Sequence, residues 1–231
     1  MYRDTNRPRA GADAVRRKAY WAVFAGAFGH TYGHNDVYGF FEPAYPGQIE
    51  TLPKGPGQRG SWRAALDAPG ACAMGYLRQL MESRSFLDRV PDQAILACEA
   101  GSGLDHAQAT RSSDGSWALV YLPTGKPVGV AMDKLAGPKV TASWFDPRTG
   151  KTEIIGTFAN TGTGRFMPLS SGEDEDWVLV LQTKADSDSD FQQALENGRA
   201  ANEGFVRCRR FVEGWLKHAD PKTGLIPRNL T

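Results

Sequence analysis

The sequence has few cysteines, no long apolar run and almost no net charge. Its 3 cysteines in 231 residues are widely spaced and form no Cys-x-x-Cys pair, so they predict isolated thiols rather than disulfides or a zinc site. No apolar stretch approaches the roughly 18 residues of a membrane span, and the basic N-terminus lacks the apolar core of a signal peptide. The net charge of +1 predicts neither nucleic acid nor an anionic membrane as partner. The compartment stays unassigned.

The usual cofactor and metal motifs are also missing. The pieces GSG and TGTG are turns, since no helix start with lysine follows them. Ser102 lacks the GxSxG setting of a nucleophile. Asp186, Asp188 and Asp190 alternate as in a calcium loop, but without its glycine and closing glutamate. We therefore expect no cofactor and no metal ion.

The most informative stretch that is present runs from residue 19 to residue 40, AYWAVFAGAFGHTYGHNDVYGF. It begins within a predicted helix, with Asp13 as N-cap and Gly26 as the C-terminal stop. Apolar residues recur on one face of this helix at the spacing that predicts burial: Val15, Ala19, Ala22 and Val23, with Tyr20 and Phe24 beside them.

Histidine, tyrosine and asparagine crowd the segment after this helix. Residues 28–33 are expected to form a short buried strand, and a helix leading to a strand with polar groups at its end is typical of an α/β-barrel active site. The candidate site residues are His30, Tyr32, His34 and Asn35. The alternative is that the two histidines are only hydrogen-bonded inside a core. Their spacing of four suits a metal on a helix, but the flanking glycines indicate strand and loop.

Three regions follow from the composition. Residues 1–94 are helix-rich and include a second predicted helix, capped by Asp67, with Pro69 in its first turn. Its apolar face consists of Ala73, Leu77, Leu80 and Met81.

Residues 95–183 contain short β-segments separated by turn signals, which predicts an antiparallel sandwich. The clearest strands are Trp117–Pro123, Val140–Phe145, Glu153–Phe158 and Trp177–Thr183. Trp117, Trp144 and Trp177 favour core positions over a carbohydrate platform. Residues 184–231 are an acidic linker and a helical tail, with the helix expected between residues 191 and 217.

Two groups of motifs resemble a known family. The pieces AYWAVFAGAFGHTYGH and LDAPGACAMGYLRQLMESRSFLDRVPDQ are similar to apiosidase-like glycoside hydrolases, whose catalytic part is a (β/α)8 barrel. WALVYLPTGKPV, SWFDPRTG, IGTFANTG and DWVLVL resemble the collagen-binding C-terminal domain that follows this barrel. The resemblance predicts an α+β multidomain chain: the end of a (β/α)8 barrel, an antiparallel β-sandwich and a C-terminal helix.

The resemblance also predicts what the chain does. A full barrel takes roughly 250 residues, and the carboxylate pair of the family belongs to strands that we do not find here. We expect no catalytic residue, and an isolated chain without hydrolase activity. His30, Tyr32, His34 and Asn35 would line the eighth strand and orient a sugar. Glu42 follows this motif instead of preceding it, so we expect a solvated loop carboxylate.

The expected partner is a plant or microbial polysaccharide. A separate chain with the rest of the barrel is a further expected partner, and full-length relatives are expected to be exported. The alternative is an accessory β-sandwich that contacts polysaccharide or matrix protein.

Overall fold

The computed structural model describes residues 10–43, 60–183, 202–204, 206–211, 213–214 and 217–218. The chain forms two compact units, Met1–Ala185 and Asp186–Thr231. In the second unit, residues 202–204, 206–211 and 213–214 are helical, in agreement with the predicted tail helix. The remainder of the predicted segment 191–217, apart from a turn at 217, and the linker from residue 184 lie outside the described residues.

The first unit begins with helices and continues with strands. The helices are α1 (Ala12–Phe24), α2 (Asn35–Tyr38), α3 (Trp62–Ala65) and α4 (Pro69–Glu82). The strands are β1 (Arg89–Pro91), β2 (Gln108–Ser112), β3 (Trp117–Leu122), β4 (Val128–Ala131), β5 (Lys139–Phe145), β6 (Thr152–Ala159), β7 (Thr163–Phe166) and β8 (Trp177–Gln182).

The strands form two antiparallel sheets. The larger sheet has six strands in the order β1-β2-β3-β8-β5-β6, and the smaller pairs β4 with β7. The predicted α+β class with an antiparallel sandwich is therefore confirmed. The four long predicted strands are present within one or two residues. The sequence analysis missed four short strands, since β2 is largely polar and β1, β4 and β7 have only three or four residues.

The sandwich core lies between the two sheets. Alternate side chains of the central strand β3, Ala118, Val120 and Leu122, enter it together with Val128, Val130 and Phe166 of the small sheet. Trp144 and Trp177 are 2% and 7% exposed and belong to the same cluster. They are core residues, as the sequence favoured, and do not form a carbohydrate platform.

The opposite face of the large sheet is covered by α1 and α4. Trp117, Leu119 and Tyr121 of β3 point into this second core, because successive side chains of a strand alternate between faces. The helices contribute Ala19, Tyr20, Val23, Phe24, Leu77, Leu80 and Met81. The sheet is thus buried on both sides, and the segment that resembles a barrel end shares a hydrophobic core with the sandwich.

A buried ion pair ties α1 to the sheet. Arg16 is 6% exposed and Asp176 is 2% exposed. Arg16 Nε and Nη2 donate to the two carboxylate oxygens of Asp176 at 3.1 and 2.9 Å. Tyr121 Oη also donates to Asp176, at 3.1 Å. Burial by itself would lower the pKa of Arg16, but hydrogen bonding to Asp176 and the nearby negative charges outweigh it, and the net pKa is raised.

The helix predictions need two corrections. The predicted face of α1 is confirmed at Ala19, Tyr20, Val23 and Phe24, which are buried, whereas Val15 and Ala22 are only partly buried. The buried face also includes Arg16, which pairs with Asp176. The predicted N-caps are also wrong: Gly11 and Ala68 occupy these positions, and neither makes a side-chain cap. Asp13 instead pairs with Arg17, one turn later. The stop at Gly26 is confirmed by its φ of 103°.

The predicted strand at residues 28–33 is wrong. These residues form an irregular loop, and the side chain of Phe28 is fully exposed. A strand needs a neighbour to accept and donate its backbone hydrogen bonds, and no strand among the described residues pairs with this segment.

Candidate functional site

The four predicted site residues lie in the loop between α1 and α2 and at the first position of α2. His30 is exposed in this loop. Asn35 is the first residue of α2 and is also exposed. Both side chains are accessible to a ligand. Tyr32 and His34 are partly buried, and each has a contact that fixes its position.

His34 is the N-cap of α2. Its Nδ1 accepts a hydrogen bond from the backbone N–H of Asp36 at 3.3 Å. In the neutral ring the proton is therefore on Nε2, which remains available as a donor. The Asp36 carboxylate is buried, and its Oδ2 accepts from Gly60 N at 3.3 Å. α2 thereby holds His34 in one orientation and one tautomer.

Tyr32 packs on the start of α4. A Cβ atom built on Gly70 would lie 3.1 Å from Cε2 and 3.2 Å from the hydroxyl of Tyr32, so a larger residue there would require the Tyr32 ring to shift by a few tenths of an ångström. Burial raises the pKa of the Tyr32 phenol, and Cys72 adds to the effect. The hydroxyl stays protonated at neutral pH and can both donate and accept a hydrogen bond.

Glu42 is less accessible than the sequence predicted. Its side chain is 14% exposed. Glu42 Oε2 accepts from Ser61 Oγ at 2.6 Å and from Arg63 Nη1 at 3.3 Å. The expectation of a solvated carboxylate is wrong, because α3 supplies two donors that bind it.

The sequence analysis missed Phe40, Trp62 and Arg63. The rings of Phe40 and Trp62 have their centroids 5.6 Å apart in an edge-to-face arrangement. The Arg63 guanidinium lies 4.5 Å from the Trp62 ring centroid. Phe40 and Trp62 are 22 positions apart in the sequence, so no local pattern connects them. The Ser61-Trp62 pair at a helix start was the one local signal of this site.

Other kinds of site are not formed by the described residues. Within those ranges, no cluster of three or more His, Cys, Asp or Glu side chains is placed to hold a metal ion. The three cysteines are exposed free thiols. In the part of the chain that is described, every helix is too short or too polar to cross a lipid bilayer.

Comparison with known families identifies both parts of the first unit. Residues 1–88 match the family described as "Apiosidase-like, catalytic domain". Residues 90–182 match the family described as "Putative collagen-binding domain of a collagenase". The first segment is therefore similar to apiosidase-like catalytic domains, and the second to that collagen-binding domain. The resemblance drawn from the motifs is confirmed, with the two matches in the predicted order.

Two solved structures of glycoside hydrolases are similar to this chain. A protein described as "Glycoside hydrolase" is 38% identical, with a TM-score of 0.70 over 80% of this chain. A glycoside hydrolase family 5 protein from Bacteroides vulgatus ATCC 8482 is also 38% identical, with a TM-score of 0.69 over 78% of the chain. This chain spans only 40% and 38% of those two proteins. No curated protein matches it significantly.

Proposed function

We propose that this chain is the C-terminal portion of an apiosidase-like glycoside hydrolase, in which His30, Tyr32, His34 and Asn35 bind and orient a sugar of a plant or microbial polysaccharide. The observation that carries the proposal is the pair of family matches in catalytic-then-sandwich order, together with 38% identity to a glycoside hydrolase structure. Resemblance to glycoside hydrolases supports carbohydrate as the ligand in general. The finer assignment of residues rests on the resemblance and on the hydrogen-bonding groups of these four side chains.

The four side chains offer complementary hydrogen-bonding groups. The His34 ring presents a donor at Nε2, since its Nδ1 is engaged by α2. The Tyr32 hydroxyl and the Asn35 amide can each donate and accept, as sugar hydroxyls also do. The proposed role is positioning of the sugar, without proton transfer.

We further propose that the isolated chain does not cleave glycosidic bonds. Cleavage needs two carboxyl groups about 5 Å apart for retention or roughly 6.5–9.5 Å apart for inversion, with one acting as acid. Asp36 and Glu42 are the carboxylates next to the loop. Both accept hydrogen bonds that hold α2 and α3, which favours a structural role. A separate polypeptide that supplies the other barrel strands is the proposed partner for activity.

Binding and catalysis are tested separately. Electrophoresis through gels that contain soluble branched pectin should retard the chain, and the double variant H30A/H34A should migrate faster than the wild type. Mutation of Lys151, an exposed residue in the turn between β5 and β6, to alanine is the control and should leave the retardation unchanged. Equal retardation of the wild type and H30A/H34A would refute the binding role.

Catalysis is measured as sugar release from the same pectin. We expect no release above that of a sample without protein, for the wild type and for the Glu42→Gln variant alike. Release by the wild type would overturn the proposal, and its loss in E42Q would make Glu42 catalytic.

A second candidate function is favoured by the edge of the sandwich. Ile154, Ile155 and Phe158 on the edge strand β6 are 74%, 39% and 39% exposed. Exposed apolar side chains on an edge strand are typical of a protein-interaction surface. The candidate is an accessory module that contacts matrix protein or polysaccharide. A pull-down with collagen beads, compared between the wild type and Ile154→Ser, tests it; equal or absent capture of both proteins would reject the β6 surface as a collagen contact.

A further inference from the structure

Phe40 occupies a backbone position that glycine normally holds. α2 ends in the two hydrogen bonds of a Schellman motif: Phe41 N donates to Asp36 O at 2.9 Å, and Phe40 N donates to Val37 O at 3.1 Å. Phe40 is the left-handed residue of this motif, with a φ of 46°. A side chain with a Cβ atom is strained there, which is why glycine is preferred.

Burial does not explain why phenylalanine, rather than glycine, occupies position 40. Phe40 is 64% exposed, so its ring gains little from packing. The backbone nevertheless fixes the ring beside α3, because Trp62 N donates to the carbonyl of Phe41 at 2.7 Å. A strained residue that is held in place by its surroundings is typical of a functional position.

We propose that Phe40 and Trp62 form a platform on which a sugar ring of a polysaccharide stacks. This inference rests on the proposed function and adds a subsite to it. The rings are 5.6 Å apart at an interplanar angle of 78°, so they form two walls of a corner instead of a flat stack. The C–H faces of a sugar are apolar and pack against aromatic rings.

Ser61 and Arg63 flank Trp62 in the chain, and both donate to Glu42. The Arg63 guanidinium also lies 4.5 Å from the Trp62 ring centroid, so Phe40 supplies the exposed ring face, and Arg63, whose side chain is 59% exposed, is a donor beside it for a sugar hydroxyl. Asp36 in α2 accepts from the backbone of Gly60 at 3.3 Å, which ties α2 to the segment that leads into Trp62. A flat apolar protein surface would gain nothing from these polar groups, which favours carbohydrate as the occupant.

The variant Phe40→Gly separates this role from a structural one, since it removes both the strain and the ring. We expect F40G to have a higher urea midpoint than the wild type and a weaker affinity for polysaccharide, by about fivefold to tenfold. Trp62→Ala should also weaken binding. Phe86→Ala is the matched control, as Phe86 is 39% exposed beyond the far end of the 14-residue α4.

The readout is retardation in gels that contain branched pectin, arabinoxylan or mixed-linkage glucan. Weaker binding by F40G with unchanged binding by F86A supports the platform, whether or not H30A/H34A also binds less. If H30A/H34A binds less while F40G binds normally, the proposed function stands and the platform is rejected. Absence of retardation in all three gels rejects both. A lower urea midpoint for F40G shows that the ring stabilises the fold, and overturns the inference.

Discussion

At the scale of single residues, the buried side chains of Tyr20 and Tyr121 differ in what their hydroxyl groups contact. Their rings stack with centroids 4.8 Å apart. Tyr121 Oη donates to Asp176, whereas Tyr20 Oη has no hydrogen-bond partner among the described residues. Burial, reinforced by the negative charge of Asp176, raises the pKa of both phenols well above its usual value.

These shifts predict a loss of stability in alkali. A pKa that is higher in the folded state than in the unfolded state stabilises the protein fully below the unfolded pKa, which for tyrosine is about 10. That contribution is lost as the pH rises above this value toward the folded-state pKa. The free energy of unfolding should therefore fall above about pH 10, by up to ~1.4 kcal/mol per pH unit for each tyrosine.

Tyr20→Phe and Tyr121→Phe are a matched pair for this prediction. Each substitution should make the fall in the free energy of unfolding above about pH 10 shallower, because it removes one titrating phenol. At pH 7, Y121F should lose about 1.5–3 kcal/mol, since it removes a hydrogen bond to a buried carboxylate, whereas Y20F should be neutral or slightly stabilising. Urea unfolding between pH 7 and pH 11 measures both effects. A wild-type stability that is flat to pH 11 would contradict the assigned shifts.

At the scale of secondary-structure elements, the Arg16–Asp176 pair determines how α1 lies on the sheet. Replacing Arg16 by methionine leaves a buried carboxylate without its cation, and we expect a loss of about 3–5 kcal/mol. The double variant R16M/D176L should be less destabilised than R16M, because it removes the stranded charge.

The matched control for this pair is Arg78–Glu82 on α4, an exposed ion pair with side chains 76% and 51% accessible. Arg78→Ala should cost less than about 0.5 kcal/mol. Denaturant titrations of the four proteins give the comparison. Equal effects of R16M and R78A would mean that the buried pair does not anchor the helix.

At the scale of the molecule, the sandwich and the two long helices share the large sheet. The two family matches meet between residues 88 and 90, yet α1 and α4 complete a hydrophobic core on β3, β5 and β8. We expect these parts to unfold together, because isolation of the sandwich would expose Trp117, Leu119 and Tyr121 to water.

Two core substitutions test this cooperativity from opposite faces of the sheet. Phe24→Ala opens the helix side and Met132→Ala opens the small-sheet side; both side chains are 1% exposed or less. We expect losses of about 3–5 and 2–5 kcal/mol respectively. Each should shift one common transition, monitored by far-UV circular dichroism and tryptophan fluorescence. Two transitions, with each variant shifting only one, would show that the segments fold independently.

Features that depend on residues close together in the sequence were predicted correctly, whereas features that depend on contacts between distant residues were not. The apolar face of α4 and the four long strands were predicted well, since their patterns repeat within a few residues. The caps at Asp13 and Asp67 and the strand at residues 28–33 were wrong, because local preference there is overridden by the packing of neighbouring segments. The placement of Glu42 was missed for the same reason: Ser61 and Arg63, its donors, are 19 and 21 positions away.

The sequence by itself determined the helical and strand periodicities, the antiparallel sandwich and the family to which both segments are similar, because these depend on short-range patterns and contiguous motifs. Only the tertiary structure decided that both faces of the large sheet are buried, that Arg16 pairs with Asp176, and that the rings of Phe40 and Trp62 are in contact. Each of these depends on contacts between residues far apart in the chain. Such contacts form only when the fold brings their elements together, so no local pattern encodes them.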